Sequence, residues 1–182
     1  MIYLEGMMEI REITGDSEEL SILEAINEEA IPEMERCALS DMLATGAKVW
    51  CIDVDQEPVG FMAVRYYRKL IYLAYFAVRK DLRSKGIGGQ AVRELIGQNP
   101  DRQVVVEYEA PASPDVSNAV KRFYLRNGFY ETGWYTHYDD TEFEVGCSQQ
   151  DFNAEEFKAF AADIAHIVSD HIPNPFRKDQ NH

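Results

Sequence analysis

The sequence predicts a single α/β (α+β) domain, a mixed and mostly antiparallel central sheet flanked by helices, with an extra C-terminal helix. Three observations predict it. The chain has 182 residues, 46% of them hydrophobic, which is enough for one domain with a real core and short for two ordinary ones. Residues 48–78 carry three consecutive β-branched and aromatic runs at hairpin spacing. On either side of these runs, apolar residues recur at helical spacing.

Element by element, Met8–Ile13 alternates and reads as a first strand. Asp16 followed by Glu19 has the spacing of a capping box. The helix it would open carries Ile22, Leu23, Ile26 and Ala30 on one face and is disturbed by Pro32. Ala38–Leu43 reads as a second short helix. Lys48–Val54, Val59–Tyr67 and Leu70–Val78 are the three strand runs, joined at Asp55–Pro58 and at Arg68-Lys69, both hairpin-length junctions.

Gly86–Ile96 has helical spacing and is expected to end at Gly97. Gln103–Glu109 is a strand with a Val-Val-Val centre. Val116–Asn127 is a helix stopped by Gly128 in the place of a left-handed cap. Phe129–Tyr138 and Thr141–Cys147 form a last hairpin about Asp139-Asp140. The final helix, Ala154–Asp170, lines up Phe157, Phe160, Ala161, Ile164 and Val168. That stripe is expected to pack on the sheet, the other use being a homodimer contact. Pro173 and Pro175 end the helix, and the tail Arg177–His182 is expected to fray. No repeat or linker interrupts the chain, so residues 8–147 form the main domain, with 148–182 packed on it.

Composition excludes several classes. Lys and Arg number 18 against 32 Asp and Glu, a net charge of −14. Such a chain repels phosphate backbones, so no nucleic-acid partner is expected, whereas a cationic substrate would be attracted. The longest apolar stretches are far below the ~20 residues that span a bilayer, so no membrane partner is expected. The three cysteines, Cys37, Cys51 and Cys147, form no CxxC pair and read as buried thiols of a reduced compartment. Met1–Glu5 lacks the pattern of a secretion signal, so the expected location is cytoplasmic. His166 and His171 are five apart and do not share a helix face, and no metal is expected.

The most informative stretch runs from Val78 to Ala91. A strand ends, a loop with Arg79, Lys80, Arg83 and Lys85 follows, and Gly86, Gly88 and Gly89 open a helix. Glycines let backbone approach a ligand closely, and the first helical turn leaves amide groups unpaired. With the helix dipole these make an anion site, and a phosphate-bearing ligand explains the local positive charge in an acidic chain. A Walker loop needs Gly-Lys-Ser/Thr, which is missing. Gly86–Ala91 satisfies G-x-G-x-x-A, with Glu107 downstream, as in nicotinamide dinucleotide sites. However, seven mostly polar residues separate the glycines from their strand, and the upstream strands join as hairpins rather than through crossover helices.

Two motifs occur in order. Arg83-Ser84-Lys85-Gly86-Ile87-Gly88 fits Arg/Gln-x-x-Gly-x-Gly/Ala after the apolar pair Ala77-Val78. Downstream, Phe123-Tyr124-Leu125-Arg126-Asn127-Gly128-Phe129 fits Phe/Leu-Tyr-x-x-x-Gly-Phe. Over about residues 8–147 the chain therefore resembles the GNAT superfamily of acyl-CoA-dependent N-acetyltransferases. The resemblance implies a GNAT-like fold with acetyl-CoA as co-substrate, its pantetheine in a V between the parallel strands Leu70–Val78 and Gln103–Glu109. It implies that backbone at Phe76, Ala77 and Val78 bonds the pantetheine and that Arg83, Ser84, Lys85, Gly86, Ile87, Gly88 and Gly89 hold the diphosphate. Many members carry Asn seven positions before the helix Tyr. Here that place is Ser117, with Asn118 beside it, and Asn118 is the cofactor-binding candidate.

Acetyl transfer from a thioester to an amine needs a neutral amine, a polarised carbonyl and a proton for the departing thiolate. Tyr124 matches the family's general acid. Glu107 and Glu109, two apart on one strand, share a face and are the candidates for accepting the amine proton. His137 is a minor candidate for lining the amine site. The expected acceptor is a small-molecule or peptide primary amine, with cationic ones favoured by the acidity. The competing function is a non-catalytic acyl-CoA-binding module with the same groove.

Overall fold

The computed structural model describes residues 7–111, 118–167 and 173–178. Its strands are β1 (Met8–Ile13), β2 (Lys48–Val54), β3 (Glu57–Tyr67), β4 (Leu70–Val78), β5 (Gln103–Glu109), β6 (Tyr130–Tyr138), β7 (Thr141–Cys147) and β8 (Phe176–Arg177). Its helices are α1 (Leu20–Ala30), α2 (Leu39–Ala44), α3 (Ile87–Gln98), α4 (Ala119–Arg126) and α5 (Ala154–Ile164). The chain divides into two compact units: the described residues up to Tyr66 with Leu73–Leu95, and Tyr67–Tyr72 with the described residues from Ile96 on.

In the first unit the strand order is β1-β2-β3-β4. β1 and β2 pair antiparallel, and so do β2 and β3, with a bulge at Ile52/Asp53. The bulge lets Glu57 and Pro58 join β3, so the connection shrinks to Asp55 and Gln56, both at positive φ as a two-residue hairpin turn requires. The core gathers Ile13, Leu23, Ile26, Leu39, Met42, Val49, Cys51, Phe61 and Ala63. Each large side chain fully removed from water contributes roughly 1.5–3 kcal/mol. Ile22, expected on this face, is exposed, and Asn27, one turn after Leu23, is buried instead, donating to the Cys37 carbonyl at 2.9 Å.

The expected capping box does not form, because Glu19 pairs with Arg11 at 2.8 Å and α1 begins without a side-chain cap. Arg11 also bonds the buried Asp53 at 2.6 Å, and the Cys51 thiol donates to the same carboxylate. Burial and the neighbouring Asp53 push the Cys51 thiol up to about 12. α3 runs through Gly97 and stops before Pro100, whose ring disfavours helix at the preceding residue.

In the second unit the order is β4-β5-β7-β6-β8. β4 and β5 pair in parallel over three positions, Leu70–Tyr72 with Gln103–Val105, and β7 pairs antiparallel with both β5 and β6. The sheet is therefore mixed and mostly antiparallel, as expected. α4 starts at Ala119, capped by Asn118, and ends at Gly128, whose φ of 97° is the left-handed conformation a helix stop needs. The start of α5 is tied down by Gln103, whose side chain bonds the backbone of Asn153 and the carboxylate of Glu156. Phe157 and Phe160 then pack on Tyr72, with Phe160 also against Tyr67. The stripe is core. The helix ends at Ile164, short of the expected Asp170, with Ala165 as its cap; Val168, Ser117, His171 and His182 lie outside the described residues. Arg177, expected to fray, instead joins Phe176 in β8, paired with Trp134 and Tyr135 of β6.

One backbone approach in the first unit admits only glycine. A Cβ at Gly60 would lie 2.5 Å from the Ala77 carbonyl oxygen and 3.3 Å from the Val78 Cα. Replacing Gly60 by Ala is expected to destabilise the protein by about 1–3 kcal/mol. A lower urea midpoint at unchanged slope would register this; an unshifted midpoint would show that β3 and β4 part at no cost.

Candidate functional site

The glycine turn lies wholly in the first unit. After β4 the chain makes one 3₁₀ turn, Lys80–Leu82, and residues 83–86 are exposed. Ser84 has φ 62° and Gly86 φ 89°. A left-handed non-glycine residue costs roughly 1–2 kcal/mol, and such strain is commonest where backbone must present its amides. Gly86 accepts the first α3 bond from Gln90 at 3.0 Å, which makes it the helix cap and leaves the amides of Ile87, Gly88 and Gly89 without partners inside the helix. A Cβ at Gly86 would meet nothing within 4 Å, so the space before the helix end is open.

The basic side chains here divide. Arg79 is paired with Asp81 at 2.7 Å, which holds that carboxyl below its usual range. Arg83 donates to the Val78 carbonyl at 2.9 Å and so ties the turn to the end of β4. The Lys80 amide donates to Glu29 of α1. Lys85 is exposed. Phe76 is half-buried, whereas Ala77 and Val78 are buried. The open backbone cradle fits a phosphate group, with Lys85 and Arg83 supplying positive charge at its rim.

The proton-handling candidates lie in the second unit, on β5 and α4. Alternation along β5 sends Tyr108 to one face and Glu107 and Glu109 to the other. Tyr108 stacks on Tyr124 at 6.0 Å, and Phe123 and Phe129 each meet the Tyr124 ring edge-on at 5.2 Å. Burial in this aromatic cluster raises the Tyr124 phenol well above its ordinary value, so it keeps its proton at neutral pH. Lys121, one turn earlier on α4, bridges Glu131 of β6 and Glu144 of β7 and so holds the helix on the sheet. Gly146 beside Tyr108 leaves room for that ring: a Cβ there would lie 3.0 Å from it.

Glu107 occupies the opposite face. It accepts hydrogen bonds from the hydroxyls of Tyr72, Thr136 and Tyr138. Glu109 is exposed, and its carbonyl accepts from the Asn118 amide. The other end of Asn118 accepts from the Lys121 backbone at 2.9 Å, so both ends of this side chain serve the cap of α4. His137 is exposed and lies 3.5 Å from Glu142, on the face away from Thr136. The structure thus separates Tyr124 from Glu107 by the thickness of one strand. Tyr72, Thr136 and Tyr138 were not singled out from sequence; the only signal was that Thr136 and Tyr138 share a face of β6. Among the described residues no three His, Cys, Asp or Glu side chains gather as a metal site, and no helix is long and apolar enough to cross a membrane.

The family model for the acetyltransferase (GNAT) domain matches residues 45–131, a span that contains both motifs. A GNAT-family protein from Bacteroides thetaiotaomicron has a similar structure, with TM-score 0.69 and 23% identity, covering 88% of this chain and 97% of its own. A GNAT family acetyltransferase from Elizabethkingia anophelis, solved with acetyl-CoA bound, aligns at 0.60 with 15% identity over 78% of this chain and 97% of that one. The ribosomal-protein-S18-alanine N-acetyltransferase of Escherichia coli aligns at 0.59, also at 15%, over 81% and 99%. No curated protein matches by sequence.

The buried phenols carry a pH prediction. Burial raises Tyr72, Tyr108 and Tyr124 above the ordinary value near ~10. Above that pH the unfolded chain releases protons that the folded chain keeps, so stability must fall as pH rises through it. Ultraviolet titration is expected to leave at least three of the ten tyrosines un-ionised until the protein unfolds. Ionisation of all ten in the folded protein near the ordinary value would contradict the burial.

Proposed function

We propose that this chain is an acetyl-CoA-dependent acetyltransferase of the GNAT family and transfers the acetyl group to a primary amine by direct attack in a ternary complex. The observation that carries the reading is the exposed left-handed turn at Ser84 and Gly86 opening α3. On this reading Arg83, Ser84, Lys85, Gly86, Ile87, Gly88 and Gly89 hold the diphosphate of acetyl-CoA. Backbone groups of Phe76, Ala77 and Val78 hold its pantetheine. Asn118 contributes by fixing the start of α4, and any contact of its own with the co-substrate is secondary to that cap.

The amine must lose a proton to become a nucleophile. Glu107, half-buried and held in one orientation by hydroxyls, suits this better than the exposed Glu109, whose side chain no such donors orient. Nitrogen attacks the thioester carbon, the carbon–sulfur bond breaks with its electron pair on sulfur, and the second proton that nitrogen sheds as the amide forms ends on the departing thiolate. An alkyl thiol titrates near ~8.5, whereas Tyr124 is held above ~10. At equilibrium the tyrosine therefore keeps its proton, and its main contribution is a hydrogen bond to the charge developing on sulfur.

The acceptor is a small-molecule or peptide amine. The net charge of −14 favours a cationic one, and the alanine acceptor in the name of the Escherichia coli neighbour keeps a peptide N-terminus in the set. The setting consistent with free thiols is the cytoplasm. The direct test is thiol release from acetyl-CoA in the presence of spermidine, kanamycin, Nα-acetyl-lysine or an alanine-initiated peptide. Turnover with at least one is expected. Coenzyme A binding without thiol release across a broader panel would replace the enzyme reading by a binding module. Tyr124→Phe is expected to lower turnover by about 10²-fold with little loss of coenzyme A affinity by calorimetry. Unchanged turnover would remove Tyr124 from the mechanism.

A further inference from the structure

Three hydroxyls, one from β4 and two from β6, converge on one carboxylate of β5. β7 lies between β5 and β6, with Val145 opposite Glu107 and Phe143 opposite Thr136. Counting across this register puts Thr136 and Tyr138 on the same face as Glu107, one strand beyond β7. Tyr72 reaches it from β4, where it stands in register with Val105, two residues before Glu107 on the same face. Thr136 donates to Oε1, and Tyr72 and Tyr138 both donate to Oε2, Tyr138 at 2.8 Å.

The donors are themselves held. Thr136 is fully buried. The Tyr72 ring packs on Phe160 at 5.1 Å, and the Tyr138 ring meets Phe143 edge-on at 5.2 Å. Glutamate has the rotamer freedom to leave a solvent-facing position, and three bonds to packed groups remove that freedom. The donors are neutral, so each stabilises the ionised carboxylate without cancelling its charge.

We propose that Tyr72, Thr136 and Tyr138 are positioning residues that hold the Glu107 carboxylate ionised and aimed for the proton of the acceptor amine. The inference rests on Glu107 as the base of the proposed reaction. Two titratable phenols, Tyr72 and Tyr138, face Glu107 from β4 and β6. Removing one donor destabilises the ionised form, so the carboxyl must titrate at higher pH, and activity that needs the ionised form must fade at higher pH.

The test uses Tyr138→Phe and Thr136→Val, with Tyr72 left intact because it is wholly buried and its loss endangers folding. Carbon-13 NMR of glutamate-labelled protein follows the Glu107 carboxyl, identified by its disappearance in Glu107→Gln. In parallel, kcat/KM is measured against pH with acetyl-CoA and the fastest of the four acceptors named above. In both variants the Glu107 midpoint and the acidic limb of kcat/KM are expected to move up together by about one pH unit. kcat at pH 7 is expected to fall by about tenfold while KM for acetyl-CoA is unchanged. Thr136→Ser, which restores the hydroxyl, should return both toward the wild-type position. Midpoint and limb unmoved in folded Tyr138→Phe and Thr136→Val overturn the inference even when Glu107→Gln is inactive. Glu107→Gln with wild-type turnover overturns the assignment of the base as well, so the two failures are distinct.

Discussion

An acidic chain that uses a phosphate-bearing co-substrate cannot attract it with its surface at large; it must build the attraction from backbone. With 32 acidic residues against 18 basic ones, the general field opposes a diphosphate. On the proposed reading, the first turn of α3 overcomes this locally. Its amides point out of the helix end, the dipole adds partial positive charge, and the left-handed Ser84 and Gly86 bring the preceding chain around without covering them. Arg83, bonded to the Val78 carbonyl, fixes the turn against β4, so the anion site and the strand expected to hold pantetheine move as one piece. Gly60 serves the same strand from the other side by letting β3 approach Ala77 without a side chain between them.

Strand β5 organises the chemistry of the second unit by the simplest property of a strand, its alternation. Tyr108 and Glu107 are consecutive, yet one joins the aromatic cluster around Tyr124 and the other joins a set of hydroxyls. The aromatic side is dry and keeps a phenol neutral. The hydroxyl side is polar and accommodates a negative charge. Two environments suited to opposite protonation states are thereby set a few ångströms apart without competing for the same solvent.

Where the physics was local, the residues told the story. β2, β4, β5 and β7 have the bounds read from their β-branched and aromatic runs, and the glycine turn that opens α3 and the Gly128 helix stop were legible because backbone conformation there is decided within a few residues. Where a distant partner decides, local pattern misled. Glu19 has capping-box spacing, but Arg11 of β1 holds it in an ion pair. Gly97 looked like a helix end, yet Pro100 is the stronger stop. Phe176 and Arg177 carry no strand signal of their own and are ordered by the open edge of β6. The donors to Glu107 were invisible for the same reason: the insertion of β7 between β5 and β6 places Thr136 and Tyr138 beside it, and strand order is not written in any one strand.

The central claim is that residues 83–89 form the diphosphate site of coenzyme A, and the most direct measurement is a crystal structure of the protein with that thiol bound. The account predicts the diphosphate on the amides between Arg83 and Gly89, at the N-terminal end of α3. Density for the nucleotide elsewhere, or none at saturating concentration, would contradict it.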